Sequence, residues 1–441
     1  MLVKKLDFVQ PLKLYNVIRD ENYPFILESL SKHELKARYT FISSNPEFII
    51  EIKNCVRVDG KKISDERSPF QALKSLFEIK TDGERFMGGF VGFVAYDAIH
   101  AYVGGRIDEA SIFGYYDHAF VYDHVLNNFY YISMTNSTDK EKYAERVIKK
   151  AKRTEIEDEE GGSEIVSCDA EKESFIDMVE RAKDYIFAGD AFQVVISREY
   201  KIKSDFSAFK IYRNLRKINP SPYMFLLEFK KSVIGASPET MASVERNILK
   251  INPIAGTAPR GKDEDEDQKI AEKLLKDEKE RAEHVMLVDL ARNDARKVSK
   301  SGSVRLTSFF DVVKYSHVQH IESEVIGELR DDLTMFDAME ASFPAGTLTG
   351  APKVRAMEII DELEKSKRKI YGGAVGYFSV NGHADMAIAI RMVEIDSLCR
   401  VRAGSGIVAD SNPENEYFET ERKMAAVMRA LEVDHDIDNR Q

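Results

Sequence analysis

The chain has 441 residues, of which 43% are hydrophobic, so it can bury a large core and is not a disordered chain. Its 64 basic and 75 acidic side chains give a formal charge of −11, which argues against a nucleic-acid-binding protein. The three cysteines are widely spaced, as in a reducing compartment, and no apolar run approaches the ~18 residues that span a membrane. We therefore expect a cytoplasmic protein without membrane contact.

The N-terminal part of the chain is rich in predicted strands. The segments Phe86–Asp97 and Phe120–Met134 combine β-branched and aromatic residues between turn residues, and the second is expected to fold back as a hairpin. The acidic, glycine-containing segment 153–165 is typical of an exposed linker. This pattern divides the sequence into an N-terminal region (1–152), the linker and a C-terminal region (166–441).

The C-terminal region alternates predicted helices and strands without a regular βαβ rhythm. A helix over Glu173–Gly189 precedes a strand over Ala191–Ile202. Further strands are predicted over Met224–Phe229, Tyr371–Val380, Ala387–Val393 and Cys399–Ile407. Further helices are predicted over Glu264–Arg292, Pro352–Lys365 and Pro413–Leu431. The order of elements indicates an α+β fold with large, mostly antiparallel sheets.

Two predicted helices carry carboxylates at helical spacing. Glu280 and Glu283 share one face of the first, which suits a hard cation such as Mg²⁺ but is equally typical of a solvated acidic stripe. The second begins at Pro413 and places Glu416 and Glu419 one turn apart. Taken alone, Glu419 and the lysine four residues later form an ordinary surface pair worth about 0.3–0.5 kcal/mol.

Several glycine-rich segments could bring backbone amides close to an anion. They cover Pro253–Gly261, Phe343–Glu358, Tyr371–Phe378 and Arg402–Val408, and none has the spacing of a P-loop. Each is more often a turn than a binding site. Composition and spacing alone therefore fit a lyase, a phosphotransferase or a hydrolase.

Taken together, these motifs resemble the chorismate-utilising enzyme family. The similarity extends over nearly the whole chain, from Ile26 to Leu431, with the motifs in family order. The resemblance implies a four-layer αββα fold with the active site between the sheets in the C-terminal region. It also implies a Mg²⁺-dependent lyase that acts on chorismate.

The resemblance assigns roles to individual residues. It implies Glu283 and Glu419 as Mg²⁺ ligands, with Glu280 and Glu416 as supporting catalytic carboxylates. His320, assisted by Thr347, is the implied acid/base group. Positions that match the substrate-binding residues of the family are Gly256, Thr257, Tyr371, Arg391, Gly404, Ser405, Gly406 and Lys423.

Two positions distinguish the reactions of the family. Members that add water carry a lysine base where this chain has Gln193, and an amide cannot deprotonate water. Members that form aminodeoxychorismate tend to carry a lysine where this chain has Ala255. The pattern is similar to members that form anthranilate from chorismate and ammonia for tryptophan synthesis. An aminodeoxychorismate-forming enzyme and a catalytically silent tryptophan-binding paralogue are the alternatives.

The resemblance also implies regulation and a partner. Ser29 and the segment Pro222, Tyr223 and Met224 are similar to the two halves of a tryptophan feedback pocket, although the second is equally typical of an ordinary turn. No cysteine has the Gly-x-Cys-x-Gly setting of a glutaminase nucleophile. A separate glutamine amidotransferase subunit is therefore expected to supply ammonia.

Overall fold

Two large antiparallel sheets form the framework of the molecule. The computed structural model describes residues 1–30, 38–81, 83, 86–314 and 318–433. In chain order the strands are β1 Leu2–Lys5, β2 Phe25–Glu28, β3 Tyr39–Ser43, β4 Phe48–Ile52, β5 Val56–Val58, β6 Lys61–Ser64, β7 Gly89–Val94, β8 Ser111–Tyr116, β9 His118–Asp123, β10 Asn128–Ser133, β11 Ser163–Cys168, β12 Gln193–Ser204, β13 Tyr223–Glu228, β14 Ser232–Ser237, β15 Thr240–Glu245, β16 Ile248–Ile251, β17 Ile254–Pro259, β18 Arg305–Lys314, β19 Val318–Glu328, β20 Gly350–Ala351, β21 Ala374–Ser379, β22 Ala384–Ile388, β23 Met392–Ile395 and β24 Cys399–Ile407.

The helices follow the same chain order. They are α1 Pro11–Ile18, α2 Pro69–Ser75, α3 Thr138–Ala151, α4 Lys172–Phe187, α5 Ala208–Ile218, α6 Glu264–Lys276, α7 Glu278–Val298, α8 Met335–Ser342, α9 Lys353–Leu363 and α10 Pro413–Ala430, with short 3-10 turns at Tyr96–Ala101 and Gly346–Leu348. No helix in these described ranges is both long enough and apolar enough to cross a lipid bilayer.

Each sheet takes strands from both the N-terminal and the C-terminal region. The first runs β1-β10-β9-β3-β2-β13-β14-β23-β24-β12-β11, with β20 added beside β12. The second runs β17-β19-β16-β15-β22-β21-β7-β8-β4-β5-β6, with β18 added beside β19. Because β2 pairs with β13 and β7 with β21, the two regions share both sheets. The boundary placed at 153–165 stays a prediction.

The sheets pack face to face with helices on their outer sides. Along β2, Phe25 joins a buried cluster with Val91 of the second sheet, whereas its neighbour Ile26 packs with Tyr15 and Leu215 of the outer helices. This alternation follows from the two-residue period of a strand that is buried on both faces. The second sheet likewise packs against α2, α7 and α8. The α+β class and the four-layer αββα arrangement are confirmed.

Most of the predicted elements are present with small shifts at their ends. The hairpin of β9 and β10 and the strand Cys399–Ile407 occur where predicted. Helix α10 starts at Pro413, and the side chain of Asn412 caps it by accepting a hydrogen bond from the Asn415 amide at 3.0 Å. The segment Phe86–Asp97 is a strand only over Gly89–Val94.

Two predictions were wrong, and both errors matter for the candidate site. The helix expected over Glu264–Arg292 is two helices, because Asp277 ends α6 and caps α7 with its carboxylate. The strand expected over Ala387–Val393 is also two elements. The chain leaves the second sheet after Ile388 and enters the first sheet at Met392, and the intervening Arg391 has a positive φ of 51°.

Candidate active site

A cavity of about 610 Å³ lies between the C-terminal strands of the two sheets and helices α7 and α10. The predicted site residues in its lining are Gly256, Glu280, Glu283, His320, Thr347, Tyr371, Arg391, Gly404, Gly406, Glu416, Glu419 and Lys423. Ser405 lies behind this lining, where its hydroxyl donates a hydrogen bond to the Glu416 carboxylate. The side chain of Thr257 lies outside the described part of the chain.

Helix α7 presents two carboxylates to the cavity from its first turns. The cap at Asp277 starts a new helix one turn before Glu280, so Glu280 and Glu283 lie one turn apart on the face towards the cavity. Burial raises the pKa of both carboxyl groups, and neighbouring carboxylates raise it further. Negative charge is therefore poorly compensated at this helix.

Helix α10 brings a second carboxylate pair and a cation to the opposite side. The ammonium of Lys423 contacts the Glu419 carboxylate at 2.6 Å and donates a hydrogen bond to the Gly404 carbonyl at 2.9 Å. Burial alone would raise the pKa of Glu419, but the charge and hydrogen bond of Lys423, with smaller contributions from Ser405 and Arg422, together lower it. The Glu419–Lys423 pair is thus part of the cavity wall and not an ordinary surface pair.

His320 is held as a neutral imidazole. It lies on β19 opposite β17, and its Nδ1 is 2.9 Å from the Gly256 carbonyl oxygen, so Nδ1 must carry the proton and donate it. Burial lowers the pKa of the ring below its usual value, so it is neutral at pH 7. Gly256 has a φ of 64° at a bulge in β17, and an added Cβ would lie 3.2 Å from a Glu280 oxygen.

The crossing between the sheets places Arg391 in the cavity. Its guanidinium donates a hydrogen bond to the Lys423 carbonyl at 3.3 Å, and burial lowers its pKa. Tyr371 lies nearby, where burial raises the pKa of its phenol to about 12. The Tyr371 hydroxyl would be 3.2 Å from a Cβ added at Gly404. A buried guanidinium beside a neutral phenol suits recognition of a carboxylate.

Among the cavity residues to which the sequence analysis gave no role are Glu239 and Arg402. The Glu239 carboxylate accepts a hydrogen bond from the Thr347 hydroxyl at 2.8 Å, and burial raises its pKa to about 7. A lone glutamate after Pro238 carries no periodic signal, so only its proximity to Thr347 identifies it. Arg402 could have been identified from the sequence, because an arginine within an apolar strand is rarely buried unless it is paired.

The two halves of the predicted tryptophan pocket lie next to each other, apart from the lining of this cavity. Strand β2 pairs with β13 so that Glu28 faces Met224, and the Leu30 amide donates to the Ser221 carbonyl at 3.0 Å. Ser29 therefore lies beside the segment Pro222, Tyr223 and Met224. The Tyr223 hydroxyl donates to Asp385 at 3.0 Å, whereas Met224 packs in the cluster under the outer helices.

The donor set at the cavity consists of carboxylate oxygens. In the described ranges, no three or more histidine, cysteine, aspartate or glutamate side chains converge closely enough to hold a metal ion alone. Mg²⁺ usually keeps several waters and takes one or two protein carboxylates together with substrate oxygens. Glu283 and Glu419, which face each other from α7 and α10, fit that requirement. Their role as ligands stays a prediction.

Comparison with known proteins agrees with this arrangement. Residues 23–429 match the chorismate binding enzyme family. The chain is 59% identical to anthranilate synthase component 1 of Thermococcus kodakarensis, over 98% of this chain and 100% of that protein. It is 53% identical to the protein of the same name from Archaeoglobus fulgidus, over 97% of this chain and 100% of that relative.

A solved structure supports the same assignment. The crystal structure of anthranilate synthase component I from Streptococcus pneumoniae matches with a TM-score of 0.79 and 36% identity, over 89% of this chain and 92% of that chain. The fold, the residues that line the cavity and the sequence similarity thus support the same family. The chain belongs to the chorismate-binding enzyme family, within the group of anthranilate synthase component 1 proteins.

Proposed function

We propose that this chain is a lyase that forms anthranilate and pyruvate from chorismate and ammonia for tryptophan synthesis. The observation that carries the proposal is the meeting of four glutamates from α7 and α10 with Arg391 and Lys423 in one cavity. Chorismate has two carboxylates, so it requires cations at two places. Arg391 and Lys423 are two of the cations in the cavity lining, and the carboxylate cluster suits a further, divalent cation.

Mg²⁺ is the proposed cofactor, with Glu283 and Glu419 as its protein ligands. Glu283 and Glu280 are carboxylates whose pKa is raised mainly by burial and further by neighbouring carboxylates, and a bound cation would compensate their charge. When bound, the ion would supply positive charge to the ring carboxylate of chorismate. Glu280 and Glu416, one turn earlier on each helix, would support the ligands through the bound waters.

The protein cations orient the substrate. Arg391 and Tyr371 would hold the enolpyruvyl carboxylate, because a guanidinium can bind both oxygens of a carboxylate at once. Lys423 would contact the ring carboxylate. Gly404 and Gly406 carry no side chain, so their backbone can approach the substrate closely; a Cβ at Gly406 would lie 2.5 Å from the Gln193 amide.

Gln193 supports ammonia as the nucleophile. Its side-chain amide donates a hydrogen bond to Glu283 at 3.2 Å and lines the cavity. An amide is not a base at any ordinary pH, so it cannot activate water, whereas ammonia needs no deprotonation before it attacks. Ala255, in the same lining, offers no nucleophile for a covalent intermediate.

Glu239 and His320 supply the proton transfers that the two steps require. Ammonia would attack C2 while the C4–oxygen bond breaks, and protonated Glu239, held by Thr347, would donate a proton to the departing hydroxyl. In the second step the C2 proton leaves, the enolpyruvyl C3–oxygen bond breaks and the ring becomes aromatic. Ionised Glu239 would take the proton that the new C2 ammonium group loses. Neutral His320 would accept the C2 proton at Nε2, since its Nδ1 already carries one, and would pass it to the methylene carbon of the departing enolpyruvyl group, which becomes pyruvate.

A partner subunit and a feedback ligand complete the proposal. The relatives are named component 1, and a glutamine amidotransferase subunit would be the second component that supplies ammonia. L-Tryptophan would bind beside Ser29, Pro222, Tyr223 and Met224, where β2 and β13 pair. This site lies apart from the cavity lining, so its effect on turnover would be allosteric.

Glu419→Gln tests the function and the metal assignment together. We expect the wild-type chain to produce anthranilate fluorescence from chorismate, ammonium and Mg²⁺, and EDTA to abolish it. The variant should lose at least about 100-fold in kcat/KM, because the ligand loses its charge. Glu414→Gln, in the same helix but paired outside the cavity with Lys172, should keep normal activity.

Near-normal turnover of Glu419→Gln would remove this residue from the metal site. Chromatography of the products separates the alternatives. Chorismate consumed to aminodeoxychorismate would favour the enzyme that forms that compound, and chorismate left intact by folded protein would favour a silent paralogue.

Glu239→Gln should slow turnover and change how stability depends on pH. Loss of a general acid should lower kcat by about 10²–10⁴-fold. The folded wild type keeps a proton on Glu239 up to a pH of about 7, whereas the unfolded chain releases it near its usual pKa of 4.5. Wild-type stability should therefore fall relative to the variant as pH rises from 4.5 to 7, and then stay constant.

Thermal midpoints measured with EDTA across this pH range check the prediction. Glu272→Gln, an exposed position on α6, is the control and should follow the wild type. A midpoint difference that does not change with pH would mean that Glu239 titrates normally.

Ser29→Ala should weaken inhibition by tryptophan without slowing the uninhibited enzyme. Loss of a hydrogen bond to the charged ligand costs about 1.5–3 kcal/mol, which corresponds to at least about a tenfold higher inhibitory concentration. Inhibition curves at fixed chorismate measure the shift. Ser301→Ala, at an exposed turn, serves as the control, and identical curves for the two variants would exclude Ser29 from the pocket.

A further inference from the structure

A buried ion pair lies behind one wall of the cavity. Arg368 and Glu364 are 1% and 3% exposed and contact each other at 2.6 Å. Nε of Arg368 also donates to both Glu364 oxygens, at 3.0 and 3.1 Å. Burial of two such charges carries a large desolvation cost, and well-packed apolar residues are often as stable. Stability alone therefore does not account for this pair.

The remaining donors of Arg368 bind the backbone of two cavity segments. Nη1 donates to the Leu348 carbonyl at 2.5 Å, and Nη2 donates to the Val195 carbonyl at 2.8 Å. Both Leu348 and Val195 line the cavity, and Leu348 directly follows Thr347. One guanidinium thus joins the turn that carries Thr347 to strand β12.

Arg368 also contacts a third segment, the one that carries Tyr371. The Tyr371 amide donates to the Arg368 carbonyl at 3.0 Å, and the guanidinium carbon lies 5.8 Å from the Tyr371 ring centroid. The other side of the guanidinium packs 4.8 Å from the ring centroid of Tyr96. The backbone and the ring of Tyr371 therefore both contact Arg368.

Glu364 extends the contact to a fourth element. It accepts hydrogen bonds from the Ser197 amide and hydroxyl at 2.8 and 2.7 Å. Its second oxygen lies 3.5 Å from Arg402, whose side chain is 2% exposed and which lines the cavity. The pair thereby connects β12, β24, the turn around Thr347 and the start of the Tyr371 segment.

We propose that the Arg368–Glu364 pair positions the wall of the cavity that binds chorismate, so that Tyr371, Thr347 and Arg402 are set before the substrate arrives. The proposal rests on the proposed function for the identity of the substrate. An arginine is required because the donors of its planar guanidinium reach a carboxylate and two carbonyls at once. A lysine has one ammonium nitrogen, which cannot reach all three groups. Preorganisation of this kind lowers the cost of binding.

Among the described residues, Arg368 and Glu364 make no direct contact with Glu283 or Glu419. Glu283 and Glu419 belong to α7 and α10, whereas the pair bonds β12, Leu348 and Arg402. Disturbing the pair should therefore weaken chorismate binding and leave the response to Mg²⁺ unchanged. A loss of overall stability alone would not weaken chorismate binding while leaving the response to Mg²⁺ unchanged.

Arg368→Lys tests the proposal in the full-length chain. We expect the KM for chorismate to rise at least about tenfold, while the Mg²⁺ concentration for half-maximal rate at saturating chorismate stays at the wild-type value. Lys231→Gln is the matched control, since it breaks another buried ion pair, with Glu394 at 2.7 Å, outside this network. It should lower the thermal midpoint without changing the KM.

A wild-type KM in Arg368→Lys, with only a lower thermal midpoint, would overturn the proposal. If that variant does not fold, Tyr96→Leu removes the ring beside the guanidinium and should still raise the KM, whereas Tyr96→Phe should not. The buried Tyr96 hydroxyl has no hydrogen-bond partner among the described residues. Calorimetry of chorismate binding with Mg²⁺ but without ammonium tests the pair even if the product is not anthranilate, so failure of the proposed function remains distinguishable.

Discussion

Repulsion between carboxylates from two helices is the constraint on which the candidate site depends. Glu280 and Glu283 on α7 and Glu416 and Glu419 on α10 line one cavity, and among the described residues only Glu419 of these four has an ammonium in direct contact. Four like charges at short range are unfavourable unless protons or cations compensate them. Burial is the main cause of the raised pKa of Glu280 and Glu283, and neighbouring carboxylates raise it further. A divalent cation together with a dianionic substrate would resolve it.

The fold brings these charges together by crossing from one sheet to the other. The chain leaves β22 of the second sheet, passes Arg391 and enters β23 of the first sheet within four residues. That crossing places the Arg391 guanidinium at the cavity, where it donates a hydrogen bond to the Lys423 carbonyl of α10. Behind one wall of the cavity, Arg368 and Glu364 join backbone segments that would otherwise be independent. The binding surface is thus a junction of elements that are distant in sequence, between Gln193 and Lys423.

Local patterns were sufficient for much of the fold, whereas most of the cavity residues were predicted from the family resemblance. Strand composition predicted the β9–β10 hairpin and Cys399–Ile407, and the cap at Asn412 predicted the start of α10. The break at Asp277 escaped detection because both flanking segments favour helix, and the capping hydrogen bonds decide the boundary. The crossing at Arg391 escaped because both sides are apolar strand sequence. Glu239 was missed because its role depends on Thr347, which is distant in sequence.

The most direct test of the central claim is whether the facing carboxylates hold a divalent cation whose binding is coupled to chorismate. Mn²⁺ binding, followed by electron paramagnetic resonance, reports occupancy without requiring turnover. The account predicts one Mn²⁺ site per chain that tightens when chorismate is added without ammonium, and that is lost in Glu283→Gln. Mn²⁺ that remains unbound with and without chorismate, or that binds equally well to the variant, would contradict the account.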